Sequence, residues 1–292
     1  MHARPCDIAR PMPDLPYRLG LPIWAHPGWR NRYFEWEPSP LASYARVFDA
    51  VEGNTTFYAE PASRTVAKWL EQSPADFRFA FKLPRIVTHD KRLREVATEV
   101  RSFIDAIEPL AERVGPVQVQ LPATFGPDQL DVLLAFLRRL PLDRSWALEL
   151  RHPGFFDGSA EHCRVDEFCD ERGIARVILD SRPLHQVPAT SEAARDEKQN
   201  KPDLPVLTHV AGRHPIVRVI GEDRPEGTMD GLLVWVPQVA AWLGEGREPY
   251  VFVHQPENLD SPGLARAFHD AVATEVTDLE PLPDPAGQTS MF

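Results

Sequence analysis

From Leu19 onward, short runs rich in Val, Ile, Leu and Phe alternate with segments whose apolar residues recur at helical spacing. That alternation predicts repeated βα units around a parallel sheet. Strands are predicted near Leu19 to His26, Ala50 to Asn54, Phe77 to Leu83, Pro116 to Leu121, Trp146 to Arg151, Ile174 to Asp180, Ile216 to Ile220 and Tyr250 to His254. Between them, Leu41, Tyr44, Ala45 and Phe48 form one apolar stripe, Val96, Val100, Phe103, Ile104 and Ile107 a second, and Leu130, Leu133, Leu134 and Leu137 a third. Later stripes carry Leu232, Val236, Val239 and Leu243, then Leu264, Phe268 and Val272. Pro127 after Gly126 suits a first helical turn, and Gly173 suits a helix end before the Ile174 strand. Eight such units predict an α/β fold, a single TIM-type (β/α)8 barrel over residues 17–280.

Two segments break the rhythm. Residues 183–205 are polar and include Arg195-Asp-Glu-Lys-Gln-Asn-Lys201, predicting an inserted loop with a short helix after the sixth strand that covers the barrel mouth. Residues 281–292 contain Pro281, Pro283 and Pro285 and are expected to form a flexible tail. Residues 1–16, with Pro5, Pro11, Pro13 and Pro16, are expected to be a loose leader without an apolar signal-peptide core. No repeat beyond the βα rhythm is evident.

Composition narrows the function classes. Thirty-two basic residues against forty-three acidic ones give a net charge of −11, which disfavours direct nucleic-acid binding without a recruiting partner. Cys6, Cys163 and Cys169 are odd in number and lack C-x-x-C spacing, so neither a disulfide framework nor a structural zinc site is expected. A reducing cytoplasm fits this usage, and no apolar run is long enough to predict a transmembrane helix.

Strand alternation then sorts the polar residues by face. Phe77, Phe79 and Phe81 would pack outward under helices, leaving Ala80 and Lys82 to face the barrel interior. The same parity turns inward Trp24 and His26, Glu52 and Asn54, Gln118 and Gln120, Glu149 and Arg151, Ile178 and Asp180, Ile216 and Arg218, and Phe252 and His254. Active sites of this fold form at the carboxyl ends of the strands, where these polar groups would gather. Glu52, Lys82, Glu149 and Asp180 are the candidate catalytic residues. His26, Asn54, Gln120, Arg151, His152, Arg218 and His254 are the candidate substrate-binding residues. The acids suit general acid or base roles, and Lys82, Arg151 and Arg218 suit an anionic substrate or developing negative charge. That balance leaves glycoside hydrolysis, phosphate-ester chemistry and enolate chemistry all open. Lys82 is expected to pair with Glu149 structurally, with a Schiff-base role as the alternative.

His26, His89, His152, His209 and His254 could in principle join the acids in a divalent metal site, but no H-x-H or H-E-x-x-H spacing supports one. Gly-rich phosphate loops are absent, so no nucleotide cofactor is indicated, and no G-x-S-x-G elbow offers a serine nucleophile.

Several longer segments carry a resemblance. They are Gly20-Leu-Pro-Ile-Trp-Ala-His-Pro-Gly-Trp29, Val51-Glu-Gly-Asn-Thr-Thr-Phe-Tyr58, Phe77-Arg-Phe-Ala-Phe-Lys-Leu-Pro84, Gln120-Leu-Pro-Ala-Thr-Phe-Gly126, Glu149-Leu-Arg-His-Pro153 and Ile178-Leu-Asp-Ser-Arg-Pro183. Together they closely resemble the YecE-like family, a domain of unknown function, from about Leu19 onward. The resemblance implies a TIM-type barrel and brings no substrate or reaction with it. The expected function is therefore an enzyme acting on a small polar or anionic substrate at the mouth, with hydrolase, lyase and isomerase chemistry open. A non-catalytic ligand-binding barrel is one alternative. The other rests on Gln288-Thr-Ser-Met-Phe292, which resembles the peptides that dock bacterial DNA polymerases and repair proteins on the sliding clamp. Gln288, Met291 and Phe292 would be the partner-binding residues of a nucleic-acid maintenance factor, and tethering would offset the acidic body's weak affinity for DNA.

Overall fold

A computed structural model describes residues 15–208 and 210–284. Eight parallel strands run in the order β3-β2-β1-β8-β7-β6-β5-β4. They are β1 (Arg18–Leu21), β2 (Ala50–Gly53), β3 (Arg78–Phe81), β4 (Val117–Gln120), β5 (Trp146–Glu149), β6 (Ala175–Asp180), β7 (Ile216–Ile220) and β8 (Tyr250–His254). The seam between β3 and β4 is closed by Leu83 N–H donating to Gln118 O at 3.0 Å and Gly115 N–H donating to Phe79 O at 2.9 Å. The chain is thus a nearly closed α/β barrel with helices between its strands.

Residue size alternates around the lumen. Ala50, Ala80, Ala147 and Ala175 leave room that the rings of Tyr250 and Phe252 fill from β8, giving a packed layer below the mouth. Gly20 is needed for the same closeness: a Cβ there would lie 2.3 Å from Ala50 O, so no side chain fits between β1 and β2. Outside the barrel, Phe79 and Phe81 stack on Trp69 of the helix Ser63–Gln72 at 5.8 and 5.5 Å, as the alternation of β3 requires. The helix Leu130–Leu137 follows a turn opened by Pro127, and Gly173 ends the helix Ala160–Arg172 at φ 62°.

Two strands depart from the expected phase. β1 ends at Leu21, because Pro22 has no N–H to extend the ladder, and alternation therefore does not carry to Trp24. Trp24 instead packs edge-on against Trp69 and Phe79 at 5.9 and 6.5 Å, on the helix side of the wall. In β6 the register pairs Leu179 with Arg218 and Asp180 with Val219, so Leu179 faces the lumen and Ile178 and Asp180 face outward. The run Val177-Ile178-Leu179 is apolar on both faces, as expected of a doubly covered parallel strand, and so conceals its own phase.

The insertion after β6 is more ordered than a loop. It holds two helices, Arg182–His185 and Glu192–Asn200. Ser191 caps the second helix, and the Asp223 carboxylate accepts from the backbone and hydroxyls of Thr190 and Ser191. At the other end of the chain, residues 280–284 remain attached to the last helix, Ser261–Glu275. Arg266 donates to Leu282 O at 3.0 Å and Pro283 O at 2.6 Å, and Leu282 is buried. Leu15, expected in the loose leader, is also buried in the core. Residues 1–14 and 285–292, including Gln288, Met291 and Phe292, lie outside the described residues.

No helix among the described residues is long and apolar enough to cross a membrane.

Candidate functional site

The inward positions of β2, β3, β4, β5, β7 and β8 converge at their carboxyl ends, and the centre of that convergence is Arg218. Its guanidinium is 1% exposed. It donates from Nε to Glu52 Oε1, from Nη2 to Glu52 Oε2 at 3.2 Å and from Nη1 to Glu149 Oε2 at 2.8 Å. Arg151 takes the remaining oxygen, Glu149 Oε1, at 2.6 Å. Glu52 Oε2 also meets Asn54 Nδ2 at 3.4 Å and lies 3.1 Å from His254 Nε2, though the imidazole is not aligned to donate to it. All four carboxylate oxygens are therefore engaged, as burial of two charges demands.

The electrostatics follow from this sharing. Burial alone would raise both glutamates. For Glu52 the opposing field of Arg218, and for Glu149 that of Arg151 and then Arg218, overcome it and hold both well below the ordinary carboxylate range. The same burial, relieved only in part by Glu52, pulls His254 down to about 4, so the imidazole is neutral at physiological pH.

Lys82 is placed differently from the expectation of a Lys82–Glu149 pair. Its Nζ donates to Gln120 Oε1 at 2.8 Å, a neutral acceptor, because Arg218 and Arg151 already occupy Glu149. Burial and the facing Arg218 charge lower the ammonium to about 7, against the partial support of Glu52 and Glu149. Beside it in the β3–β4 register stands Gln118, whose amide is buried with neither its oxygen nor its nitrogen hydrogen-bonded to any described residue. An unsatisfied buried amide is costly, which marks this part of the lumen as a place for a water or ligand atom.

Lys201 belongs to the same group and was not among the sequence candidates. It follows the helix Glu192–Asn200, pairs with Glu197 at 3.6 Å, and is lowered by burial and by Arg218. Arg151 Nη1 donates to Asn200 O at 3.3 Å and ties this end of the insertion to the mouth. The sequence signal was the charged run ending at Lys201-Pro202, where proline ends a helix; only the fold shows what that end overlies. His89, on the turn after β3, is half-buried and lowered to about 4 by desolvation and then by Arg151, which places it at the rim.

Other candidates fall outside the cluster. Asp180 points away from the lumen, accepting from Arg182 at 2.7 and 2.8 Å and from Trp235 Nε1 at 2.8 Å. It borders a separate cleft of about 300 Å³ with Arg182, Glu222, Arg224 and Asp230. His26 and His152 are half-buried turn caps: Gly28 N–H donates to His26 Nδ1 at 3.2 Å and Gly154 N–H to His152 Nδ1 at 3.0 Å. The two turns, His26-Pro-Gly-Trp29 and His152-Pro-Gly-Phe155, are matching 3₁₀ turns after β1 and β5, a local repeat the strand rhythm had hidden. His209 lies outside the described residues. Among those described, no three His, Cys, Asp or Glu side chains are grouped to hold a metal ion.

The family described as protein of unknown function DUF72 matches residues 18–289. The chain is also 38% identical over 274 residues to the UPF0759 protein YecE of Escherichia coli K12, covering 94% of this chain and 99% of that protein. The chain belongs to the DUF72 family. Solved DUF72 structures share its fold: one from Enterococcus faecalis superposes with TM-score 0.63 at 17% identity, covering 91% of this chain and 99% of the other. Another DUF72 protein, from Thermotoga maritima, has TM-score 0.60 at 22% identity, covering 88% of this chain and 96% of the other. DUF72 membership fixes the architecture and carries no reaction with it.

Proposed function

We propose that this chain is an enzyme whose active site is the carboxyl-end mouth of the barrel, and that its substrate is small and anionic. One observation carries the reading. The two lumen acids are balanced by Arg218 and Arg151, yet Lys82 and Lys201 also face this centre, each held below the usual ammonium range by burial and by Arg218. A bound anion would supply negative charge to Lys82, which meets a neutral amide, and to Lys201, whose carboxylate partner Glu197 stands 3.6 Å away. Gln118 and Gln120 add neutral donors and acceptors for orientation.

The arrangement also bears on the chemistry. Glycoside hydrolysis needs one carboxyl group kept protonated as an acid. Glu52 and Glu149 are both held in the ionised state, so neither supports that role at neutral pH. The group poised to gain and lose a proton near neutrality is Lys82.

The test is calorimetric titration of the full chain with oxalate and with inorganic phosphate. Binding of either, weakened by roughly 2–5 kcal/mol in Arg151→Met or Lys201→Met, is the expected outcome for a desolvated charge contact. No binding of either anion, or affinity unchanged in both variants, refutes the mouth as an anion site.

A further inference from the structure

We propose that Lys82 is a covalent amine, forming an imine with the carbonyl carbon of a small anionic aldehyde or ketone. The inference rests on the anionic-substrate reading and names the functional group that substrate carries.

Its basis is the company Lys82 keeps. The chain has five lysines, Lys68, Lys82, Lys91, Lys198 and Lys201, among thirty-two basic residues. Arginine therefore serves most cationic positions, including the buried one at 218. Lysine differs in that it can shed its proton when buried and leave a free electron pair, which a guanidinium does not do. At position 82 the side chain is 5% exposed and, among the described residues, its only hydrogen-bond partner is the Gln120 amide oxygen. The nearby acids hold it as a cation only in part, since Arg218 and Arg151 occupy them. At about 7, a large share of Lys82 is free amine at neutral pH, against roughly one part in a thousand or less for an ordinary lysine.

The second feature is Gln118. It stands beside Lys82 on the lumen face, and its buried amide has an N–H₂ group and an oxygen with no partner among the described residues. In the addition step, the Nζ electron pair forms the C–N bond while the carbonyl π pair moves to oxygen. The amine proton transfers to that oxygen, giving a neutral carbinolamine whose hydroxyl the Gln118 amide can hold as donor or acceptor. The C–O bond then breaks as a proton from solvent goes to the departing hydroxyl, so water leaves, the nitrogen keeps its remaining hydrogen as a protonated imine, and no external oxidant or reductant is consumed. A protonated imine would restore at Lys82 the positive charge that Glu52 and Glu149 attract, while the substrate's anionic group faces Lys201 and Arg151.

The experiment is reductive trapping on the full chain. Protein is incubated near neutral pH with glyoxylate or pyruvate and cyanoborohydride, and the adduct is located by peptide mass mapping. One added group on Lys82 is expected, forming at least about tenfold faster than on Lys68 or Lys91, because the free-amine fraction outweighs the lower intrinsic nucleophilicity. Acetone, which has the carbonyl without the charge, should label Lys82 more slowly. In Lys82→Arg the fast adduct should vanish; the wild-type map decides the question even where that variant does not fold. Labelling spread over exposed lysines with none favoured at Lys82 overturns the imine. Oxalate binding without a Lys82 adduct overturns the imine alone, whereas failure of both removes the anionic mouth as well.

Discussion

Replacing Arg218 by methionine would keep most of the side-chain volume and remove the charge that joins β2 to β5 across the lumen. The guanidinium makes two contacts to Glu52 and one to Glu149, with both carboxylates fully buried. Losing it leaves Glu52 with Asn54 and a neutral His254, and Glu149 with Arg151 alone. Breaking a buried pair from one side costs about 3–5 kcal/mol, which for a chain of this size is a fall in Tm of roughly 5–8 °C. The pH dependence gives a sharper signature. In the wild type both glutamates sit below their unfolded pKa values, so their contribution is complete above about pH 4.3 and is lost on acidification. Without Arg218, burial prevails for Glu52 and raises it, so the variant's penalty is greatest at neutral pH and is relieved as the carboxyl takes up a proton. Circular dichroism melts at about pH 7.5 and about pH 5 would check this, with the gap between wild type and variant narrowing at the lower pH. A Tm within about 2 °C of wild type at neutral pH, or a gap that widens on acidification, would refute the assignment of Arg218 as the charge that permits two buried acids.

Two further outcomes follow from residues outside that cluster. Asp180→Ala should destabilise the fold by about 1–3 kcal/mol, because the buried Trp235 indole N–H loses its acceptor, while oxalate binding at the mouth stays unchanged; loss of binding with an unaltered melting curve would return Asp180 to the site. For the tail, purified bacterial sliding clamp should bind the full chain and not a version ending at Ala286; equal or absent binding for both eliminates recruitment through Gln288, Met291 and Phe292.

The sequence alone determined what local periodicity can encode. Alternation in Phe77-Arg-Phe-Ala-Phe-Lys82 set the faces of β3, because one face is aromatic and the other is not, and this correctly turned Lys82 inward. The βα rhythm set the barrel, and the polar residues at strand ends put Glu52, Gln120, Glu149, Arg151, Arg218 and His254 at one mouth. Where a strand is apolar on both faces, as in β6, no local pattern distinguishes inside from outside. Its phase comes from hydrogen-bond register with β7, a pairing between segments some forty residues apart that local pattern does not encode, and so Asp180 faces opposite to the alternation reading. The tertiary structure also decided who pairs with whom. Lys82 and Glu149 share a lumen, but Arg218 reaches both glutamates from β7 and leaves Lys82 with a neutral amide. Lys201 reaches the mouth at the end of a capped helix whose Ala194 packs in one cluster with Leu179 of β6, with Asp223 accepting from Thr190 and Ser191 at the helix's other end. Such contacts depend on distances across the barrel, and sequence spacing encodes none of them.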